Sequence, residues 1–341
     1  MAELHIGDLS SSIPGPLILT DTKNLTEGVA LEIEGMVFEK GTEQLARTIE
    51  IMDVSMPVAE AVQILIQIHY PSESNYFSGE QDAAALEAKT GVHQYIEGAA
   101  TELIGRIDLA NSVLDPYGLE LRTQPVWKLP FDFMPSARVL DQHTRDLIDQ
   151  WGKEDPQMLN RALLSGLQVN CSYGMENLTD WRAQVEYAME VMNSFVDPAT
   201  RQRFLDMNTG MRNAWGETRE KMLRKLLPFV KRTNFEAARM DPEDSILPAR
   251  FESIEDFQSW EMAHSGVTRW KDVDLKSGHH LMATLKGDLD MKQGVIHNAR
   301  MESRATDAGV VDTEGNLIAM TSDDLVRLST PWIEHFGSFS R

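Results

Sequence analysis

Thiols are almost missing from this chain. Cys171 is its one cysteine, which excludes an intrachain disulfide and any metal centre built on several thiolates. Positive charge is scarce too. Thirty-two Lys and Arg stand against 53 Asp and Glu, a formal net charge of -21. Long-range attraction to nucleic acid or to an anionic membrane is therefore disfavoured, although a local group of cations can still bind a small polyanion. No apolar run approaches the length of a bilayer span. The opening MAELHIGDLSSSIPGPLILTD has no basic residues ahead of an apolar stretch and does not read as a secretory leader. These absences set the expectation of a cytoplasmic protein with neither nucleic acid nor membrane as partner.

The short signatures of several chemistries are missing as well. The chain has no G-x-x-x-x-G-K-[ST] phosphate loop, G-x-G-x-x-G fingerprint, H-E-x-x-H, C-x-x-C pair or G-x-S-x-G elbow. His279 and His280 are adjacent and would point apart on a strand. His69, His93 and His297 are isolated, and read as surface or hydrogen-bonded histidines.

What is present is an ordinary globular composition, 42% hydrophobic with 14 prolines over 341 residues. No composition break marks a boundary, so the expected organisation is an extension over 1–25 and a single domain over 26–341. Ile96, Ala100, Leu103, Ile107, Ala110 and Leu114 recur at spacings of three or four and predict a helix ended by DPYG, with LELR returning as a strand. NLTDWRAQVEYAMEVMNSFVDP predicts a second helix, capped by Asn177 or Thr179 and lined by Trp181, Val185, Met189 and Met192. Further helices are expected over 137–151, 217–231, FESIEDFQSWEM and TSDDLVRLSTPWIEHFG. The basic residues Lys221, Arg224, Lys225, Lys231 and Arg232 read as a solvated helix face. Residues 59–69 fit either a helix or a strand, and the stretch from Tyr70 to Gly91 reads as a loop ending in a short helix.

Three strands share one oddity. In ALEIEGMVF, alternation puts Glu32 and Glu34 on one face. In SGLQVNCSY, Gln168, Asn170 and Ser172 share a face opposite Leu167, Val169 and Cys171. In NARMESR, Asn298, Arg300, Glu302 and Arg304 share a face. A wet sheet surface gives this pattern with no chemistry. The other reading is a polyanion site, because carboxylates hold hard Mg²⁺ ions and guanidinium groups grip phosphoryl or carboxylate oxygens in forks.

Taken in order over roughly residues 28–310, these segments resemble the type 2 glutamate–cysteine ligases and the related carboxylate–amine ligases of glutamine-synthetase-like fold. GVALEIEGMVF is similar to that family's opening Glu-x-Glu strand. HQYIEG through RTQPVW resembles its Gln-x-Glu segment, long helix and Thr-His-Pro turn. SGLQVNCSYGMENLTDWRAQVEYAMEVM looks like its glycine-led strand and following helix, and NARMESRATDAG like its closing Thr-x-Glu-x-Arg strand.

The resemblance implies an α+β fold, a funnel-shaped antiparallel sheet with helices on its outer face. ATP would enter at one end and an amino acid at the other, with Mg²⁺ or Mn²⁺ between them. By position, Glu32, Glu34, Glu97 and Glu302 would ligate metal. Arg304 would neutralise the transferring phosphoryl group beside Glu302, and Arg138 would lie near the acyl substrate. Arg300, Asn170 and Lys271 would face the nucleotide. The implied activity is an ATP-dependent ligase that joins a carboxylate, from glutamate or another amino acid, to an amine through an acyl phosphate. Its partners would be small amino acids and amines, with homo-oligomerisation open.

The chain departs from that pattern where the family has histidines. Gln168 and Asn170 occupy the third strand, and Gln124 precedes Pro125. The tail after ATDAG is short, and about twenty residues separate WKDVDLK from NARMESR. The alternative is therefore a non-catalytic nucleotide- or metal-binding protein, or an assembly protein, that keeps the scaffold.

Overall fold

The computed structural model of the protein describes residues 28–42, 44–51, 53–80, 82–123, 166–175, 177–206, 250–265, 283–303, 306–311 and 317–339. The expected extension over 1–25 and the helices expected over 137–151 and 217–231 lie outside these residues. The fold is mixed helix and strand, with a curled antiparallel sheet and helices packed against it.

Strand β1 (Val29–Glu39) is the spine. β2 (Thr48–Ile51) and β3 (Val54–Pro57) form a separate hairpin, and helix α1 (Val58–His69) follows. Next come β4 (Phe77–Gly79), β5 (Ala85–Lys89), α2 (Ile96–Leu114) and β6 (Leu119–Arg122). The chain resumes with β7 (Gly166–Cys171), α3 (Trp181–Ser194), α4 (Pro198–Asp206) and α5 (Ile254–Ser265). β8 (Ala283–Asp290), β9 (Val295–Ser303), β10 (Thr306–Asp307), the pair β11 (Val310–Val311) and β12 (Leu317–Ile318), and α6 (Ser322–Gly337) complete it. None of the described helices is long and apolar enough to cross a membrane.

The main sheet runs β4-β5-β1-β7-β9-β8, with β6 pairing β1 and β10 pairing β7. Ile33 pairs with Ala88 of β5 and Leu167 of β7, so these strands flank β1 on opposite sides. Met36 pairs with Ala85 and Arg122, so β6 follows β7 along one edge of β1. The handover falls at Glu34–Gly35. A Cβ at Gly35 would lie 2.7 Å from the Arg122 carbonyl oxygen, so a side chain there would push β6 away.

The apolar face of β1 (Val29, Leu31, Ile33) is buried with Leu167, Val169, Leu285 and Met301. α2 covers β1, β5 and β6, α3 covers β8 and β9, and α6 packs on α2 and β7. α6 begins on a capping box, Thr321 with Asp324, and buries Leu325, Leu328, Trp332 and Phe336. On its flank His335 packs among Phe195, Phe204 and Phe339, 2.8 Å from Ser194 Oγ. α3 is capped by Asp180, not by Asn177 or Thr179, because the Asp180 carboxylate accepts from Arg182 N at 2.7 Å. Gln184 of α3 grips β9 in both directions, donating to Ile296 O at 3.1 Å and accepting from Ile296 N at 2.8 Å.

α2 is pinned from within by Arg106, which is wholly buried. Its guanidinium donates to Glu102 Oε1 at 2.6 Å, Glu73 Oε2 at 3.2 Å and the Lys89 carbonyl, and stacks on Tyr76. Glu102 also accepts from Gly91 N at 2.9 Å and meets His93 Nε2 at 2.5 Å. Each guanidinium nitrogen and both Glu102 oxygens thus have a partner, which is what makes burying the pair tolerable.

The stretch read as a loop with a terminal helix is instead a β-hairpin, β4 and β5. Alanines at 83, 84, 85 and 88 favour a helix locally, but β5 lies buried between β1 and β4, where small side chains fit the close packing.

Candidate functional site: a charged sheet face

Opposite the helices, the sheet carries a layer of polar side chains whose character changes strand by strand. At one end, β1 presents Glu32 and Glu34, and β5 presents Glu87 and Lys89, in the register Glu32↔Lys89 and Glu34↔Glu87. Glu80 joins them from the turn after β4, where its backbone N–H donates to Ala85 O at 2.9 Å. Glu34, Glu80 and Glu87 each bring one carboxylate oxygen within 4.8 Å of the others. Glu87 also accepts from Ser78 Oγ at 2.8 Å and pairs with Lys89 Nζ at 2.5 Å.

Crowding raises two of these carboxyls above their ordinary range. Burial pushes up Glu32, and so does Glu87, through its negative charge and a shared hydrogen bond. Burial pushes Glu80 well up, reinforced by the charges of Glu87 and Glu34. Lys89 responds oppositely. Burial works against its charge, but Glu87 and Glu32 hold its ammonium group firmly protonated.

The middle strand is neutral. On β7, Gln168 Nε2 donates to Glu34 Oε1 at 3.2 Å and Asn170 Nδ2 donates to Glu32 Oε1 at 3.1 Å. Gly166 N donates to Glu34 Oε2 at 3.0 Å, just where the edge of β1 passes from β7 to β6. Both amides are buried, so each carboxylate is held in place by a fixed neutral donor.

The far end is basic. Arg300 Nε donates to Asn170 Oδ1 at 2.8 Å, and Lys286 stands directly across from Arg300 in the β8–β9 register. Glu302, only 1% exposed, pairs with Lys286 Nζ at 3.5 Å. Acidic, amide and basic strands therefore follow one another across a single face. Counted formally among the described residues, the β1–β5 end holds four carboxylates and one ammonium group, and the β8–β9 end holds two cations and one carboxylate.

No family model matches the chain, and no curated protein matches it.

Of the residues expected from sequence, the structure brings Glu32, Glu34, Asn170, Arg300 and Glu302 onto this face. Glu97 sits exposed in the first turn of α2 and is not part of the Glu34–Glu80–Glu87 group. Arg138, Lys271 and Arg304 lie outside the described residues. Asn298 does not continue the alternation of Arg300 and Glu302. The pairing shifts between Lys286 and Asp288, and Asn298, with φ +54°, sits at that bulge. Sequence reasoning missed Glu80, Glu87, Lys89 and Lys286. The Glu87-x-Lys89 spacing is the same period-two signal that marked Glu32-x-Glu34, hidden in an alanine-rich stretch that reads as helix.

Proposed function

We propose that the protein is an ATP-dependent carboxylate–amine ligase whose charged sheet face holds a divalent cation at its acidic end and phosphoryl oxygens at its basic end. The observation that carries this reading is the order of charge across β5, β1, β7, β9 and β8. A metal–triphosphate complex has the same polarity, cation on one side and anion on the other.

The donor set suits Mg²⁺ or Mn²⁺. Glu34, Glu80 and Glu87 offer only oxygen, which hard cations select, at mutual distances that one ion can bridge. Burial and the excess of carboxylate there raise Glu32 and Glu80, so a divalent ion would compete with protons for them. Such an ion supplies a Lewis acid that draws charge from phosphoryl oxygens. Arg300 and Lys286 would receive the phosphates, and Gln168 and Asn170 would hold the carboxylates at fixed distance. The acyl carboxylate would attack the γ-phosphoryl group, releasing ADP, and an amine would then displace phosphate to give the amide.

The amides of β7 favour a second reading. Gln168 and Asn170 stand where the resembling family has histidines, and each donates an N–H to a carboxylate, Glu34 or Glu32. They have no basicity to offer a proton transfer. A binding protein on the same scaffold needs none.

Thermal unfolding with MnCl₂, with ATP and with both tests the shared site, and a turnover assay separates the two readings. The ligase and the binding protein both predict the largest rise with the two together, because a ligand that binds only the folded state stabilises it. The ligase alone predicts ADP and phosphate release when a panel of amino acids and amines is added. Absence of any shift at millimolar ATP and Mn²⁺ would remove both.

A further inference from the structure

Two lysines share the charged face with the carboxylates, and Lys286 is the more deeply placed. It is 8% exposed, its Nζ lies 3.5 Å from Glu302 Oε1, and its charge also acts on Glu32 three strands away. Arg300 lies directly across the strand pair from it. Among the described residues, a divalent ion bound to Glu302 would therefore meet two fixed cations and a single carboxylate. Neither cation can retreat cheaply: Lys286 is buried, and Arg300 is tied to Asn170 Oδ1 and to the Asn298 carbonyl at 3.2 Å. Like charges at this range repel strongly where water is excluded. The opposite end differs, since three carboxylates converge there and, among the described residues, Lys89 pairs with Glu87.

We propose that Lys286 takes the place of a divalent cation at Glu302, so that the polar face accommodates one ion, at Glu34, Glu80 and Glu87, and Glu302 is not a metal ligand. This rests on the reading of the acidic end as a cation site, and it departs from the role that sequence resemblance implied for Glu302. The ammonium group is a permanent internal counter-ion. It cannot be chelated away, and among the described residues it leaves the basic end with a net positive charge suited to an anion.

Mn²⁺ titration of the full chain, followed by calorimetry and by the electron paramagnetic resonance of free Mn²⁺, tests the proposal. Wild type should bind one ion per chain, and Glu302→Gln should bind one ion with affinity changed by less than about threefold. Glu34→Gln should weaken binding by at least about 10-fold, the scale for disturbing a metal ligand set. Lys286→Gln should expose a second site, and Lys286→Gln/Glu302→Gln should remove it again. If Lys286→Gln does not fold, Glu302→Gln alone decides, because it keeps the lysine and the size of the side chain. Two ions in wild type, falling to one in Glu302→Gln, would overturn the proposal and leave the cation site standing. No Mn²⁺ binding by wild type would overturn both.

Discussion

Arg300 and Asn170 meet at 2.8 Å, guanidinium Nε donating to amide Oδ1, and this contact ties the basic end of the sheet to its acidic end. Asn170 passes the connection on by donating to Glu32 at 3.1 Å. Asn170→Leu keeps the volume but leaves a carboxylate and a guanidinium each short of a partner. We expect a loss of about 1–2 kcal/mol in urea unfolding, less than two fully buried groups would lose, because Glu32 and Arg300 are only partly buried. A loss below about 0.5 kcal/mol would mean that water replaces the amide and that the charged face is wet.

The acidic end should make stability fall with rising pH. Glu32 and Glu80 have folded-state values raised above the ordinary carboxyl value. Between the unfolded and folded values the native state binds more protons, so stability present below about pH 4.5 is lost as pH rises through the folded values. Glu80→Gln should therefore melt higher than wild type near neutrality and nearly alike near pH 4. Saturating Mn²⁺ should narrow that difference by stabilising wild type alone. A Glu80→Gln variant less stable than wild type at neutral pH without metal would contradict the crowding described here.

His335 predicts a slope of the opposite sign. Burial, helped by the Arg203 charge, depresses it to about 4 in the folded state. From about pH 6.5 down to about pH 4 the unfolded chain binds the extra proton, so stability is full above this window and declines on acidification. His335→Gln can still reach Ser194 and should flatten the decline over that range. Melting curves at closely spaced pH values would show it, and an unchanged acid slope would place the titration elsewhere.

Arg106→Met should be among the most damaging single changes, because it strands Glu102 and Glu73 without their guanidinium. Breaking a buried pair from one side costs about 3–5 kcal/mol. The denaturation midpoint should fall accordingly. Replacing all three charges together should recover part of the loss, and failure to recover any would show that the network holds more than its own charges.

Much of the apolar half of this protein was legible in its sequence. Period-two alternation located β1 and β7, and a spacing of three or four located α2, because core burial selects side chains on one face only. The Glu32, Asn170 and Arg300 faces were legible for the same reason. β5 was not, since alanine favours a helix unless neighbouring strands override it, and with β5 went Glu87 and Lys89. Ser303 falls between Glu302 and Arg304, so alternation expects it to face away from the polar layer. It does, yet its Oγ accepts from Val169 N at 2.9 Å and adds a rung to the sheet where β9 leaves β7. Nothing in a serine's spacing announces a bond to a strand 134 residues away.

The bulge at Asn298 works as a change of gear within one strand. On its inner side the alternation aims Arg300 toward Asn170 and seats Met301 in the core. On its outer side Ile296 is also seated in the core, five positions away, a spacing that plain alternation would forbid. Opposite it, a Cβ at Gly287 would lie 2.5 Å from Ile296 Cγ2, so the partner strand has to stay bare for the shift to close. The tip of the hairpin is thereby insulated from the charged face, and its sequence can drift without turning Arg300 over. Excising Asn298 would remove that insulation, and either Ile296 or Arg300 would have to face the wrong way.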